Sequence, residues 1–357
     1  MQELRSFFPR TFRLRVSAGA VHTAVVTVDG QVYTWGDGED GQLGTGTTDD
    51  HLSPALVAAL PPVRMVSTGD LHTAAVTVDG QVYTWGYGGN GRLGTGTTDD
   101  QLFPVLVESL PPVRMISAGG FHTVAVTVDG QIYTWGTGGD GQLGTGTTDD
   151  QLHPVLLESL PPVRMVSTGD LHTAVVTVDG QVYAWGSGEF GRLGTGTRDR
   201  LRPVLVESLP PVRMVSAGGV HTASVTVDGQ VYMWGGGAYG QLGTGTTDNQ
   251  LRPVLVESLP PVRMVSAGYN HTAAVTVDGQ LYTWGFGEHG QLGTGTRNSQ
   301  LRPVLVEQLP PVTVVSAGSY HTAVITVDDQ VYTWGRGADG RLGTGNTDNQ
   351  LRPVPVD

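Results

Sequence analysis

Val78-Asp79-Gly80-Gln81-Val82-Tyr83-Thr84-Trp85-Gly86 is the stretch that decides the fold. Asp-Gly is a strong hairpin signal, because a two-residue type I′ turn needs positive φ at both positions. The β-branched and aromatic residues after it are typical of a strand. The Tyr-x-Trp-Gly ending occurs seven times, with tryptophans spaced by 50, 50, 50, 49, 50 and 50 residues. These repeats predict seven copies of one supersecondary unit rather than a conventional two-domain enzyme.

One copy contains four short strand-like runs. In the second copy these runs are 63–67, 72–78, 81–85 and 104–108, and Leu-Pro-Pro then leads into the next copy. No stretch combines helical periodicity with capping residues. Four antiparallel strands in each of seven units predict an all-β, seven-bladed β-propeller, and a linear β-solenoid is the alternative. We expect a single propeller domain, 1–357, with repeats at approximately 13–60, 61–110, 111–160, 161–209, 210–259, 260–309 and 310–357.

Composition excludes several kinds of chemistry. All 20 basic residues are arginine and cysteine is absent, so Schiff-base lysines, P-loop lysines, disulfides and thiol nucleophiles are excluded. The formal net charge of -13 argues against nucleic acid as the main partner. No apolar run is typical of a secretory signal or a membrane span. We therefore expect a cytoplasmic, monomeric protein that has no membrane partner.

Three motifs together resemble the repeat of the regulator of chromosome condensation (RCC1) family. They are Gly-x-x-His-Thr, Val-Asp-Gly-Gln-Val-Tyr-x-Trp-Gly and Gly-x-x-Gly-Gln/Arg-Leu-Gly-Thr-Gly, and they recur from Val16 to Val356. The resemblance implies a seven-bladed propeller with about 50 residues in each blade. It also implies functions as different as nucleotide exchange on a Ran-type GTPase, UV-B photoreception and β-lactamase inhibition, so function must be argued from sites.

Departures from the family pattern separate these functions. The photoreceptor pattern Gly-Trp-Arg-His-Thr is absent, since no Gly-x-x-His position holds tryptophan. The wedge hairpin of the Ran exchange factor is also absent. The only length change is one residue missing between Arg200 and Leu201. Photoreception is therefore not expected, and exchange activity is weakly supported.

Motifs that suggest cofactors or metals have structural interpretations here. Gly86, Gly88 and Gly91 form a Gly-x-Gly-x-x-Gly motif, but Leu-Gly-Thr-Gly follows it, whereas a dinucleotide site would open a helix. The acidic clusters, such as Asp49-Asp50, lack the ligand spacing of a calcium loop. No serine lies in a Gly-x-Ser-x-Gly elbow. We expect no cofactor, no metal and no enzymatic activity.

The histidine and tryptophan that recur once in each copy are predicted to be structural. Seven symmetry-related histidines in separate blades do not converge as metal ligands must. These structural residues are His22, His72, His122, His172, His221, His271, His321, Trp35, Trp85, Trp135, Trp185, Trp234, Trp284 and Trp334.

Differences between copies concentrate in two loops. Loops alternate between the two ends of an antiparallel blade, so the Gly-x-x-His and Trp-Gly-x-Gly loops should share one rim. Within the repeats there are eight aromatic residues besides the constant Tyr and Trp, and seven of them lie in these loops. Phe103 is the exception, and packing is the alternative role for Phe121 and Tyr320. Exposed aromatic residues among Gly, Ser and Asp are typical of binding surfaces, with loop drift as the alternative. The predicted partner-binding residues are Asp37, Asp40, Asp70, Tyr87, Asn90, Thr137, Asp140, Asp170, Phe190, Tyr239, Tyr269, Asn270, Phe286, His289, Tyr320, Arg336 and Asp339.

These observations favour a non-enzymatic protein-binding scaffold. The alternatives are an exchange-factor-like regulator of a small GTPase and a lectin-like glycan binder. Near-identical copies indicate recent amplification of one blade or a consensus-built sequence. The chain begins just before a first strand and ends just after a fourth, which predicts that each blade is built from one contiguous segment. The alternative is a blade shared between the two termini, to which residues 4–12 would add a strand.

Overall fold

Each repeat forms one four-stranded antiparallel sheet whose strands follow one another in chain order. The computed structural model describes residues 14–58 and 60–356, and these contain 28 strands in seven sheets. The sheets are the blades of a ring, so the predicted all-β, seven-bladed propeller is confirmed. The possible shared strand at residues 4–12 lies outside the described residues.

The first strand of each blade lines the central axis, and the second lies beside it. The first strands are β1 (Arg15–Ala18), β5 (Val63–Thr68), β9 (Val113–Ala118), β13 (Val163–Thr168), β17 (Val212–Ala217), β21 (Val262–Ala267) and β25 (Val312–Ala317). The second strands are β2 (His22–Val26), β6 (His72–Thr77), β10 (His122–Thr127), β14 (His172–Thr177), β18 (His221–Thr226), β22 (His271–Thr276) and β26 (His321–Thr326).

The third and fourth strands complete each blade toward the outside. The third strands are β3 (Val32–Gly36), β7 (Val82–Gly86), β11 (Ile132–Gly136), β15 (Val182–Gly186), β19 (Val231–Gly235), β23 (Leu281–Gly285) and β27 (Val331–Gly335). The fourth strands are β4 (His51–Leu56), β8 (Gln101–Leu106), β12 (Gln151–Leu157), β16 (Arg200–Leu205), β20 (Gln250–Leu255), β24 (Gln300–Leu305) and β28 (Gln350–Pro355). Three one-turn 3-10 helices are described, at Gly89–Gly91, Glu189–Gly191 and Ala338–Gly340.

The outer strand begins earlier than the prediction from residue 104. In the second blade it spans Gln101–Leu106, because Gln101 pairs with Gly86 across a bulge in the ladder. The proline at position 104 lies within this strand. Proline is tolerated there because an outer strand has a free edge that needs no donor.

The core lies between blades. Every residue of β6 is buried, since the neighbouring blades cover both faces of the sheet. Trp135 of the third blade packs in one cluster with Ala74 and Val76 of the second. An isolated blade could not bury these faces, so the folded unit is the ring rather than the repeat.

A buried hydrogen-bond network joins each blade to the next. Trp85 Nε1 and Thr73 Oγ1 donate to the carbonyl of Gln42 in the preceding blade, at 2.9 and 2.8 Å. The Nε2 atom of His22 lies 2.7 Å from Thr73 Oγ1. The same histidine–threonine bond recurs at His72–Thr123, His122–Thr173, His172–Thr222, His221–Thr272 and His271–Thr322.

The last blade closes on the first through the same contacts. His321 Nε2 lies 2.8 Å from Thr23 Oγ1, and Trp35 Nε1 donates to the Arg341 carbonyl at 3.0 Å. Each described sheet is built from one contiguous segment. The ring is therefore closed by hydrogen bonds and packing between the last and first blades, and the described residues contain no strand shared between the two ends of the chain.

Candidate partner-binding face

The two variable loops of each blade lie against each other at one rim, which we call the loop face. In the second blade the Tyr87 amide donates to the Leu71 carbonyl at 2.9 Å. In the sixth blade the Phe286 amide donates to the Asn270 carbonyl, also at 2.9 Å. The constant Asp-Gly turns and Leu-Pro-Pro links form the opposite rim, which we call the turn face. The loops that differ between copies therefore share one rim, as predicted.

The first variable residue of each Gly-x-x-His loop lines the mouth of the central channel. Neighbouring blades are joined here through their backbones, since the Ala20 amide donates to the Gly69 carbonyl at 3.2 Å and the Ser319 amide to the Gly19 carbonyl at 3.1 Å. Each blade thus presents one side-chain position to a common ring. The ring residues are Ala20, Asp70, Gly120, Asp170, Gly219, Tyr269 and Ser319.

Two carboxyl groups face each other across Gly120 in this ring. A Cβ atom at Gly120 would lie 3.0 Å from Asp70 Oδ2 and 3.1 Å from Asp170 Cα. Burial, and then the charge of Asp70, raises the pKa of Asp170 to about 7. Burial also raises the pKa of Asp70, against the opposing effect of Arg92. Two carboxylates in so small a space repel each other, so a cation bound here would be stabilised.

An aromatic cluster covers three consecutive blades of the loop face. The Tyr239 and Phe286 ring centroids are 4.9 Å apart, and those of His289 and Tyr320 are 5.2 Å apart. Phe286 also lies 5.9 Å from His289, and Tyr269 lies 6.1 Å from Tyr320. These separations are within the range of favourable ring contacts. The aromatic cluster therefore consists of Tyr239, Tyr269, Phe286, His289 and Tyr320.

Charge divides the loop face into two sectors. Blades one to four carry acidic groups. Burial raises the pKa of Asp40, and the negative charge of nearby carboxylates, Asp100 first among them, raises it further. Burial and then Asp199 likewise raise the pKa of Asp140. Blade seven carries Arg336, whose guanidinium lies 5.9 Å from the Tyr320 ring, and Asp339, whose carboxylate is paired with Arg341 at 2.6 Å. A partner that covers this face would meet acidic groups on blades one to four and the aromatic cluster on blades five to seven.

A residue that is glutamine in four copies and arginine in three sets the shape of each Trp-Gly loop. In the glutamine copies the side chain accepts a hydrogen bond from the backbone two residues earlier. Gln42 Oε1 accepts from the Asp40 amide and Gln241 Oε1 from the Tyr239 amide, both at 2.9 Å. Gln142 and Gln291 make the same contact. Glutamine thus holds the loop in its ordinary conformation.

The arginine copies adopt a different loop. Their residues two positions earlier, Asn90, Phe190 and Asp339, have φ angles of 60°, 59° and 60°. Arg92 Nε donates to the Gly89 carbonyl at 3.2 Å, and its Nη1 donates to the Gly120 carbonyl of the next blade at 2.9 Å. Arg192 and Arg341 reach the next blade in the same way. In the sequence, the change from glutamine to arginine in the Gly-Gln/Arg-Leu-Gly motif marks the copies with this second loop conformation. The sequence prediction did not use this difference.

The buried arginines also support aromatic side chains in the acidic sector. The Arg92 guanidinium lies 4.7 Å from the Tyr87 ring and 5.3 Å from the Phe121 ring. Arg192 lies 5.6 Å from the Phe190 ring. Phe121 is 38% exposed, so it lies at the surface rather than in the blade core. Phe103 lies on the outer strand β8, not in a variable loop, and is 56% exposed.

The structure places all 17 predicted partner-binding residues in the loops of the loop face, and each is at least partly exposed. It brings Tyr239, Tyr269, Phe286, His289 and Tyr320 together in the aromatic cluster. Asp70 and Asp170 meet at the channel mouth. Asn90 is held elsewhere, since its Nδ2 donates to Asp150 Oδ2 at 2.7 Å. The role of the 17 residues in binding a partner stays a prediction.

The recurring histidines and tryptophans lie between blades. All seven histidines are fully buried, and burial lowers the pKa of His122 and His271 to about 3. They are therefore neutral at physiological pH. Within 14–58 and 60–356, no group of three or more His, Asp or Glu side chains is arranged to hold a metal ion. In the same residues no helix has the length and apolar character to cross a membrane.

Family models match most of this chain. A model described as "RCC1-like domain" matches residues 110–357. A model of the regulator of chromosome condensation (RCC1) repeat matches 29–76 and 79–126, and a second model of that repeat matches 15–42 and 63–92. Together these matches extend over the first to the last blade.

Individual proteins match the chain over one repeat or through the fold. The human E3 ubiquitin-protein ligase HERC2 is 51% identical over 47 residues, which is 13% of this chain and 1% of that protein. The chain therefore spans only a small part of such relatives. Human WBSCR16 has a TM-score of 0.84 at 22% identity, covering 92% of this chain and 94% of that one. Prp20p from Saccharomyces cerevisiae, described with its binding to Gsp1p and histones, has a TM-score of 0.84 at 23% identity, covering 98% and 90%.

Proposed function

Since this chain belongs to the family of RCC1-like domains, we propose that it is a non-enzymatic protein-binding propeller whose partner docks on the loop face. The observation that carries this proposal is the aromatic cluster. Five rings from three successive blades lie in contact with one another at the same rim. Interface energy concentrates in such groups of aromatic side chains, which lose little conformational entropy when a partner covers them.

The electrostatics of the loop face indicate the partner's chemistry. Asp70 and Asp170 stand beside the exposed ring of Tyr269 at the channel mouth. A partner segment with an apolar side chain on the aromatic cluster and an arginine or lysine over the two carboxylates would match this arrangement. Complementary charge of this kind raises association rates and selects among partners.

The constancy of the turn face supports the choice of rim. The Val-Asp-Gly-Gln turn is identical in six copies, whereas the residue two after each tryptophan differs in all seven. Scaffolds carry function on variable loops held by a rigid frame. In this chain the buried network between blades would supply the frame and the loop face the specificity.

A matched pair of variants tests the proposal. The first combines Tyr239→Ser, Tyr269→Ser and Phe286→Ser on the loop face. The control combines Val178→Ser, Val227→Ser and Val277→Ser, which are exposed on the turn face. Capture from a lysate of the source cells, followed by titration of the identified partner, should show binding to the native chain and the control and loss with the first variant. Equal binding by both variants would reject the loop face as the binding site.

A second candidate is exchange-factor-like action on a small GTPase. The fold similarity to Prp20p, whose description includes binding to Gsp1p, favours it over a glycan-binding role. Stimulated release of bound nucleotide from a candidate GTPase would support this function. Binding of the same GTPase without faster release would leave the chain as a scaffold.

A further inference from the structure

Five successive blades carry an arginine at the same place on the turn face. The sequence Pro-Pro-Val-Arg-Met recurs in blades two to six, whereas blades one and seven have Leu14 and Thr313 at the arginine position. Each arginine lies at a β-bulge, as Arg164 does between Val163 and Met165. A bulge turns a side chain away from the regular alternation of a strand. We call the five residues the arginine arc: Arg64, Arg114, Arg164, Arg213 and Arg263.

Backbone carbonyl groups fix the arc in position. Arg164 Nη2 donates to the Val212 carbonyl at 2.8 Å, and Arg213 Nη2 donates to the Val262 carbonyl at 2.7 Å. The other members reach the first strand of the next blade in the same way, at Val113, Val163 and Val312. Each of these bonds uses one of the five N–H donors of a guanidinium. The arc therefore presents a row of fixed cationic groups around the axis.

The arginines affect one another's ionisation. Burial, followed by the neighbouring Arg15 and Arg114, lowers the pKa of Arg64 to about 10. Burial, followed by Arg263 and Arg164, lowers the pKa of Arg213. Guanidinium groups are cationic at neutral pH, so neighbouring members of the arc repel each other, and an anion could relieve this repulsion. A multivalent anion would relieve it at several members at once.

We propose that the turn face binds a compact polyanion, a small molecule with several phosphate groups, seated over the axis on the arginine arc. The carboxylates of this rim explain why the ligand should be compact. Each second and third strand is joined by a turn that carries an aspartate, such as Asp129 or Asp179, and these turns lie outside the first strand. An extended polyanion such as DNA would cross these carboxylates, whereas a small one over the axis would not.

Isothermal titration calorimetry with tripolyphosphate tests this site. The arc variant combines Arg114→Gln, Arg164→Gln and Arg213→Gln. The control variant combines Arg202→Gln, Arg252→Gln and Arg302→Gln, which remove the same charge from exposed positions on outer strands. Tripolyphosphate should bind the native chain, and the arc variant should bind it at least ~10-fold more weakly. The control should change the affinity by less than ~3-fold, as expected of screened surface charge.

Three outcomes would overturn the proposal. They are the absence of tripolyphosphate binding to the native chain, an equal loss of affinity in the arc and control variants, and equally tight binding of a short DNA duplex. Circular dichroism establishes that each variant is folded. If the triple variant does not fold, the single change Arg164→Gln keeps four members of the arc and should still weaken tripolyphosphate binding more than Arg252→Gln does. Equal effects of these two single changes would likewise reject the site.

Discussion

Thr23 of the first blade and His321 of the last are joined by a hydrogen bond of 2.8 Å between Oγ1 and Nε2. Thr23 Oγ1 also donates to the Arg341 carbonyl at 2.9 Å, so its oxygen accepts from the histidine. The histidine proton therefore lies on Nε2, and Nδ1, which has no hydrogen-bond partner, is the bare acceptor. The same donor order repeats at the other blade boundaries.

We expect Thr222→Val to destabilise the ring. The change leaves the buried His172 Nε2–H without its acceptor and removes a donor from the Arg192 carbonyl. Loss of a buried partner of this kind costs about 1–3 kcal/mol. Urea unfolding of the variant should show this decrease in the free energy of unfolding. Thr197→Val is the control, because Thr197 is exposed, and an equal effect of both changes would contradict the role of the network.

Stability should fall as the pH falls below about 6.5, the unfolded pKa of histidine. The folded pKa of His22 and His221 is about 3, so the unfolded chain binds more protons between these values. Each buried histidine then removes up to ~1.4 kcal/mol per pH unit. Four carboxyl groups act in the opposite direction, since their raised pKa values favour the folded state as they are protonated, but they are four groups against seven: Asp40, Asp70, Asp140 and Asp170.

Thermal unfolding between pH 7.5 and 4.5 measures this dependence. NMR of the imidazole protons provides an independent readout, because the seven buried rings, whose pKa values are lowered by burial, should not titrate in this range. A midpoint that does not change between pH 7 and 5 would contradict the assignment of seven neutral, buried histidines.

The change Phe190→Asn should raise the stability by up to about 1 kcal/mol, because asparagine tolerates the left-handed conformation better than a bulky residue. Phe190 has a φ of 59°, and Asn90 occupies the equivalent position of the second blade with a φ of 60°. The loss of the contact between Phe190 and Arg192 offsets part of this gain. Chemical unfolding at pH 7.5 measures the difference.

Tyr239→Asn is the matched control for this change. Tyr239 has similar exposure, 44% against 39% for Phe190, but it belongs to a glutamine copy and contacts Phe286. We expect the control to lower the stability. An increase in both variants would show that the arginine copies do not impose strain on their loops.

Asp170→Asn should stabilise the fold at pH 8 by about 1 kcal/mol, since it removes a half-buried charge that faces Asp70. The gain should shrink at pH 5, where Asp170 is already protonated because its pKa is about 7. Unfolding curves at the two pH values measure the difference. Asp149→Asn, at an exposed position, serves as the control and should have little effect at either pH. A gain that is independent of pH would argue against the carboxyl pair.

The repeat predicted the fold because each structural residue has the same role in every copy. Spacing of the tryptophans and the Asp-Gly turns determined the number of blades and the order of the loops. The partner of each histidine could not be predicted, since Thr73 lies 51 residues from His22 and becomes its neighbour only when the ring is assembled. Sequence spacing alone does not specify which faces of adjacent blades meet.

The site was predicted in composition but not in arrangement. Alternation of loops placed Tyr239, Phe286 and Tyr320 on one rim, yet their ring contacts depend on side-chain directions that no pattern specifies. The effect of Arg192 on Phe190 was missed for a similar reason. It acts through a backbone angle, and the glycines beside Phe190, Gly188 and Gly191, also occur in the glutamine copies, so they do not indicate a different turn.

The closure between the seventh and first blades has a consequence for chain connectivity. Because His321 meets Thr23 as every other histidine meets its threonine, the boundary between the seventh and first blades is of the same kind as the six others. The order in which blades are synthesised is therefore not a requirement of the final structure. Circular permutants that begin at any Leu-Pro-Pro link should reach the same ring, and differences among them should appear in folding rate rather than in final stability.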